Sequence, residues 1–138
     1  MGNWRGIGRN LGLLVFRVGL GLGIATHGYS KLFGGHMADF ARMAVEPMGF
    51  PMPLVFAYLS AMAEFAGGLF IAAGLLTRLA SMPLAFNMGV ALFMVHLKHG
   101  DPMMKWELAA AYLLGAVTVM LAGPGSISLD RVIFGNKK

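Results

Sequence analysis

The chain of 138 residues contains no cysteine and few charged residues. Without cysteine, disulfides, dithiol chemistry, iron–sulfur ligation and zinc ribbons are excluded for this chain acting alone. Charged residues make up 12 % of the chain, about half of the fraction that is typical of soluble domains. Because cysteine is absent, the electrons of any redox reaction must be carried by a quinone, a bound cofactor or a partner subunit.

Hydrophobic residues are abundant instead, at 57 % of the chain, and they fall into long runs. About 20 apolar residues in a helix cross the ~30 Å hydrocarbon core of a bilayer. Four such helices are predicted, at about residues 10–29, 53–76, 79–97 and 104–122. We expect one all-α domain over residues 1–138, an integral membrane antiparallel four-helix bundle.

Connections and charges predict the orientation in the bilayer. Only Thr77 and Arg78 separate the second and third predicted helices, which indicates a tight antiparallel hairpin, and Pro83 is expected in the first turn of the third helix. Four crossings place both termini on one side, with six lysines and arginines against four on the other side. The positive-inside rule then predicts a multi-pass protein of the cytoplasmic membrane with cytoplasmic termini. The net charge of +5 fits a lipid bilayer with anionic headgroups better than nucleic acid.

Glu64 is the most informative polar residue, because it lies near the middle of the apolar stretch 53–76. A carboxylate at that depth costs at least ~2.5 kcal/mol unless it faces protein, water or a partner, so a functional role is the default interpretation. Arg17 also falls inside a predicted span. Two alternatives stay open for Arg17: it extends to the nearer membrane surface, or it pairs with Glu64.

Helical geometry predicts that four polar side chains converge near the non-cytoplasmic end. His27 and Lys31 are four residues apart and share a face of the first helix. His96 ends the third helix and Glu107 begins the fourth, while the side chain of Glu64 leans toward the same end. We expect one residue from each helix to meet there, with Lys31 at the rim.

Asn87 and several glycines are assigned to helix contacts. Asn87 precedes His96 by nine residues, which predicts opposite faces of a regular helix and an interhelical hydrogen bond or oligomer contact for Asn87. Gly19 and Gly23 have a spacing that lets helices approach closely, within the bundle or in a homo-oligomer. Gly67 and Gly68 follow Glu64 by one turn, where small residues also admit a ring.

Two histidines and two glutamates in such a bundle fit two kinds of site. One is a quinone or phenol site, in which His and Glu exchange protons with the ring oxygens. The other is a zinc, iron or manganese site, although no Glu-x-x-His spacing occurs. Methionines and histidines outside the spans are a separate signal for Cu(I), or else flexible apolar side chains without a metal role. These are His36, Met37, Met43, Met48, Met52, His99, Met103 and Met104.

Several segments, taken in order, resemble the DoxX family of four-helix membrane proteins. They are Arg17, His27 to Gly34, Glu64 to Gly68, Gly74 to Arg78, His96 and Gly123 to Asp130. The resemblance covers nearly the whole chain and implies an accessory subunit of a quinone-linked redox system. It marks Lys31, Glu64, Arg78 and His96 as matched positions.

We therefore predict a DoxX-type subunit of a quinone-linked oxidoreductase, with a quinone as cofactor, no covalent cofactor and no metal. The expected proton-handling residues are Glu64, His27 and His96. The expected quinone-binding residues are Lys31, Glu107, Arg17, Gly67 and Gly68. Expected partners are further copies of the chain or a redox subunit. The alternatives are a non-enzymatic assembly or anchoring subunit and a copper-handling membrane protein.

Overall fold

Four long helices dominate the computed structural model of this protein, which describes residues 4–135 and contains no strand in that range. They are α1 (Trp4–Phe33), α3 (Pro53–Ala73), α4 (Thr77–Val90, continued by a π-helix, Ala91–Leu97) and α5 (Met103–Ala122). Each is long and apolar enough to cross a membrane, which confirms the predicted all-α membrane bundle.

Short helices occupy both ends of the bundle. The α1–α3 connection contains α2 (Met37–Phe40), a π-helix (Ala41–Val45) and a 3₁₀ turn (Glu46–Met48), and α6 (Leu129–Phe134) follows α5. We call the end with residues 34–52 and 98–102 the loop end, and the end with residues 74–76 and 123–135 the terminal end. Lys137 and Lys138, which contribute to the predicted orientation, lie outside the described residues.

Asp130 determines where α4 begins. Its carboxylate accepts hydrogen bonds from the backbone N–H groups of Leu76 (2.6 Å) and Thr77 (3.0 Å), which a helix start would otherwise leave without a partner. Its own N–H donates to the carbonyl of Gly74 at 2.8 Å. The predicted hairpin between α3 and α4 is present, but α4 begins earlier than residue 79. Pro83 consequently lies inside the helix and not in its first turn, where we had placed it.

Arg17 is buried at the terminal end, with 1 % of its surface exposed. Its guanidinium donates to the carbonyls of Ile71 (3.0 Å), Ala72 (3.2 Å) and Ile127 (2.7 Å). The first two belong to the last turn of α3, where unpaired carbonyls and the helix dipole favour a cation. The alternative of a pair with Glu64 is therefore wrong. Arg17 extends to the terminal end, the direction of the other alternative, but it is buried there against backbone carbonyls.

Gly68 allows α1 and α3 to approach until their backbones touch. A Cβ atom at this position would lie 2.6 Å from the carbonyl oxygen of Gly21 and 2.9 Å from the amide nitrogen of Ala25. Gly19, by contrast, has open space where its Cβ would be. The α1–α3 contact thus uses Gly21 and Ala25, and the Gly19–Gly23 spacing is not the contact itself.

The order of packing leaves one side of the bundle open. Helix α1 packs along α3, α3 against α4, and α4 against α5, whereas α1 and α5 touch only over a short length. The tightly packed part is a cluster of side chains with almost no exposed surface near the terminal end. It comprises Ile24, Ile71, Leu84, Ala116 and Val119. A gap between α1 and α5 follows toward the loop end.

Replacing Gly68 with Ala should destabilise the bundle. The added methyl group overlaps backbone atoms of α1, so we expect the free energy of unfolding to fall by about 1–3 kcal/mol. Thermal unfolding in detergent measures this, with Gly19→Ala as the control because its methyl group meets no neighbour. Equal melting temperatures for the two variants would contradict the assigned contact.

Candidate functional site

A cavity of about 470 Å³, here called the main cavity, lies between α3, α4 and the short helices of the loop end. Its wall is mostly apolar and aromatic, with a few polar groups at one end. The aromatic side chains are Phe40, Phe50, Phe56 and Phe86. The polar side chains are Lys31, Ser60, Glu64, Asn87 and His96. Apolar cavities with a few converging polar groups are typical of small-molecule sites.

Glu64 is the buried polar centre of the main cavity, with 2 % of its surface exposed. Its Oε1 accepts hydrogen bonds from Lys31 Nζ at 2.6 Å and from Asn87 Nδ2 at 2.9 Å. Its Oε2 is buried and has no partner among the described residues. An acceptor without a donor is costly in an apolar setting, so Oε2 is the atom in this site that a bound donor would satisfy.

Lys31 reaches Glu64 because α1 and α3 run in opposite directions. Helical side chains lean toward the N-terminus of their own helix. Lys31 therefore leans away from the loop end and Glu64 leans toward it, so the two meet between the helices. The ammonium group also lies 4.6 Å from the centre of the Phe40 ring, which adds a cation–π contact from the loop end.

Asn87 lies on the same side of its helix as His96, which corrects our prediction of opposite faces. His96 lies within the π-helix Ala91–Leu97, whereas Asn87 lies in the α-helical part before it. The turns of a π-helix contain more residues than those of an α-helix, so each residue rotates the chain less. The calculation from a regular helix therefore fails. The predicted interhelical hydrogen bond of Asn87 does exist, and its acceptor is Glu64.

His96 is held by Asp101, a residue that our sequence analysis missed. The Nδ1 atom of His96 lies 2.9 Å from Asp101 Oδ2, and Lys105 Nζ lies 3.5 Å from Asp101 Oδ1. The hydrogen bond to His96, with a smaller contribution from the charge of Lys105, holds the pKa of Asp101 below its usual value, although desolvation opposes the shift. With Nδ1 engaged by Asp101, Nε2 remains for the cavities.

A smaller cavity of about 200 Å³, the side cavity, lies between α1, α4 and α5. It shares Lys31, Glu64, Ala91 and His96 with the main cavity. Its other polar side chains are His27, Lys105 and Tyr112. The rings of His27 and Tyr112 meet edge to face with centres 5.8 Å apart. Tyr112 fits because Gly23 opposite it has no Cβ.

The remaining predicted site residues lie elsewhere. Glu107 is exposed on α5 and lines neither cavity. Arg17 is at the terminal end, and Gly67 and Gly68 face neighbouring helices, with Gly67 directed toward the carbonyl of Ala80. The expected convergence therefore brings together His27, Glu64 and His96 around the side cavity, without Glu107.

The alternative of a zinc, iron or manganese site gains no set of ligands from the described residues. Within residues 4–135, no three His, Asp or Glu side chains lie close enough together to hold a metal ion. Among the loop methionines, Met37 is buried in a hydrophobic cluster and Met48 lines the main cavity. Met43 and Met104 are exposed. Met37 and Met48 thus have packing roles.

The family profile of DoxX matches residues 12–97, more than half of the chain. The chain belongs to the DoxX family. It is 31 % identical over 138 residues to "Inner membrane protein YqjF" of Escherichia coli K12, covering 94 % of this chain and 95 % of that protein. It is 31 % identical to "Inner membrane protein YphA" of the same strain, with 91 % and 93 % coverage. It is 30 % identical to "Putative oxidoreductase CatD" of Bacillus subtilis 168, with 93 % and 91 % coverage. No solved structure matches the chain significantly.

The segments that resemble DoxX proteins separate into two groups in space. Lys31, Glu64 and His96 surround the cavities near the loop end. Arg17 and Asp130 join helices at the terminal end, where the side chain of Arg78 also reaches a carbonyl, that of Leu121 on α5, at 3.4 Å. In this DoxX protein, then, the first group lines the two cavities, whereas the second group joins helices.

Replacing Asp101 with Asn should lower the melting temperature at neutral pH. The pKa of Asp101 is lowered in the folded state, so its stabilising effect is present above the ordinary Asp pKa of ~3.9 and is lost as pH falls through the lowered pKa. We therefore expect the difference between wild type and variant to shrink as the pH falls below ~4. Thermal scans in detergent across this range measure it, with Asp39→Asn as a control on an exposed loop carboxylate. A difference that stays constant with pH would contradict the contact.

Proposed function

We propose that this DoxX protein binds a quinone or a related phenolic ring in the main cavity, as the membrane subunit of an oxidoreductase system. The observation that carries the proposal is the buried, unpartnered Oε2 of Glu64 at the polar end of an apolar cavity. A flat ring with an oxygen at one edge satisfies both features. The apolar body lies among the aromatic side chains, and its polar edge meets the carboxylate.

The side chains around Glu64 offer the hydrogen bonds that the two oxidation states of such a ring need. A quinol hydroxyl donates to Oε2 of Glu64. The carbonyl oxygen of a quinone accepts instead, and the donors within the site are the ammonium of Lys31 and the amide of Asn87. Each of these groups already touches Glu64, so a ring oxygen placed there reaches all three without a large rearrangement.

A partner redox subunit supplies or receives the electrons in this proposal. The chain has no cysteine, and its described residues contain no cluster of metal-binding side chains. The name of the Bacillus subtilis relative, an oxidoreductase, supports a redox setting. The role of this chain is then to hold the ring, exclude water from its apolar part and accept or return the proton.

Binding of short-chain ubiquinol and menaquinol analogues to the purified protein tests the proposal. Glu64→Gln removes a charged acceptor but keeps its shape, so affinity should fall about 10–100-fold, the equivalent of one hydrogen bond to a charged group. Glu107→Gln is the matched control, since it makes the same chemical change at an exposed position outside both cavities. Equilibrium dialysis gives the two dissociation constants.

A second variant distinguishes loss of the binding site from misfolding, because Glu64→Gln also removes the ion-pair partner of Lys31. Phe56→Ala removes one ring from the aromatic wall without touching that pair, and we expect it to weaken binding as well. Native mass spectrometry of the protein released gently from its own membranes should show a retained quinone mass. Equal affinity in wild type and both variants would refute the site. A ligand-free complex with another protein would instead support the assembly-subunit alternative.

A further inference from the structure

We propose that the side cavity is a water-filled vestibule through which Glu64 exchanges protons with the aqueous phase at the loop end only. The proposal gives the protein a directional function, because a proton released by a ligand in the main cavity would leave on one side of the membrane. The release of the proton by a ligand rests on the proposed quinone site. The route itself rests on the two cavities.

Glu64 stands between the two cavities and belongs to the walls of both. The shared wall also contains Lys31, Ala91 and His96. A proton accepted by the carboxylate from the main cavity therefore needs no further protein group to be presented to the side cavity. The carboxyl group of Glu64 can therefore exchange protons with both cavities.

The side cavity has the polar surroundings that water requires. His27, Lys105 and Tyr112 line it, and each can hydrogen-bond to water. His27 and Lys105 are exposed, and Lys105 lies in the first turn of α5 beside the 98–102 loop. The limited contact between α1 and α5 leaves the opening through which water reaches this group of side chains.

Toward the terminal end the same bundle is closed. The next layer consists of the buried side chains Ile24, Ile71, Leu84, Ala116 and Val119, which have almost no exposed surface. Apolar close packing of this kind holds no water. Beyond it, Arg17 is occupied with three backbone carbonyls. The side cavity, lined by His27, Lys105 and Tyr112, is the polar space beside Glu64, and Lys105 places its opening at the loop end.

The transfer of one proton can be followed atom by atom. The O–H bond of a ring hydroxyl breaks, the proton joins Oε2 of Glu64, and the electron pair of that bond stays on the ring oxygen beside the ammonium of Lys31. The proton then passes to water in the side cavity. The charged and titratable groups that face Glu64 along this route are Lys31 and His27 on α1, His96 on the π-helix, and Lys105 and Tyr112 on α5.

Water access to the side cavity can be measured with single cysteines, because the natural chain has none. Ala109 lines the side cavity, whereas Ala111 on the same helix is exposed on the outside of the bundle and lines neither cavity. In sealed vesicles, a membrane-impermeant methanethiosulfonate should modify Ala109→Cys on the order of tenfold or more faster than Ala111→Cys, since the reactive thiolate forms in water. The reaction should occur from the loop side only. Equal rates, or reaction from the terminal side, would overturn the vestibule.

Proton access to Glu64 is tested separately with dicyclohexylcarbodiimide, a lipid-soluble reagent that modifies protonated carboxyl groups. In vesicles with the pH of each side set independently, labelling of Glu64 should rise when the loop side is acidified. Acidifying the terminal side should have no effect. Peptide mapping assigns the label, and Glu64→Gln gives the background.

This experiment needs no quinone, so its outcome separates the two proposals. Labelling that follows the pH of the terminal side, of both sides or of neither side would refute the one-sided route even if quinone binding is found. Labelling controlled by the loop side, together with unaltered quinol affinity in Glu64→Gln and Phe56→Ala, would refute the quinone site and leave the proton route standing.

Discussion

The ion pair between Lys31 and Glu64 is the interaction on which the rest of the loop-end structure depends. Two charges inside a bilayer are costly unless they are paired and hydrogen-bonded. Here a 2.6 Å contact joins them, and Asn87 donates a further hydrogen bond. The pair forms where α1 and α3 run in opposite directions and approach closely, at Gly28 beside Ala61 and Phe65 and again at Gly68. Small residues in the helix contact are thus a condition for the charged site, although they do not line it.

The two ends of the bundle use polar groups for different purposes. At the terminal end, Arg17 and Asp130 satisfy backbone carbonyls and N–H groups that the helix ends leave free, so their hydrogen bonds are used for joining helices. At the loop end, Glu64 keeps one oxygen without a partner beside an apolar cavity. The buried apolar layer between the ends separates the two sets. The proposed site for an amphipathic ring and the proposed proton path on one side of the membrane both rest on this division.

The parts of the site that could be predicted from sequence are those that depend on charge and local spacing. Glu64 is recognisable because a carboxylate in an apolar stretch demands a partner, and Lys31 lies within reach at the end of α1. The prediction put Asn87 on the wrong face of its helix because a π-helix changes the rotation per residue before His96. No residue in that segment predicts a π-helix from the sequence. Glu107 was included from its depth alone, although its face of α5 points away from both cavities.

Sequence by itself determined the membrane class, the four spans, their antiparallel order and the importance of Glu64. These follow from hydrophobic length, helix-stopping residues and the cost of a buried charge, all of which are local properties. Only the tertiary structure decided that Arg17 joins α3 to the chain after α5 and that Asn87 donates a second hydrogen bond to Oε1 of Glu64. The sharing of one carboxylate by two cavities was likewise decided by the tertiary structure. These features depend on how the helices rotate and pack against one another, and the interior of a bilayer provides no hydrophobic driving force that would encode that choice along a single helix.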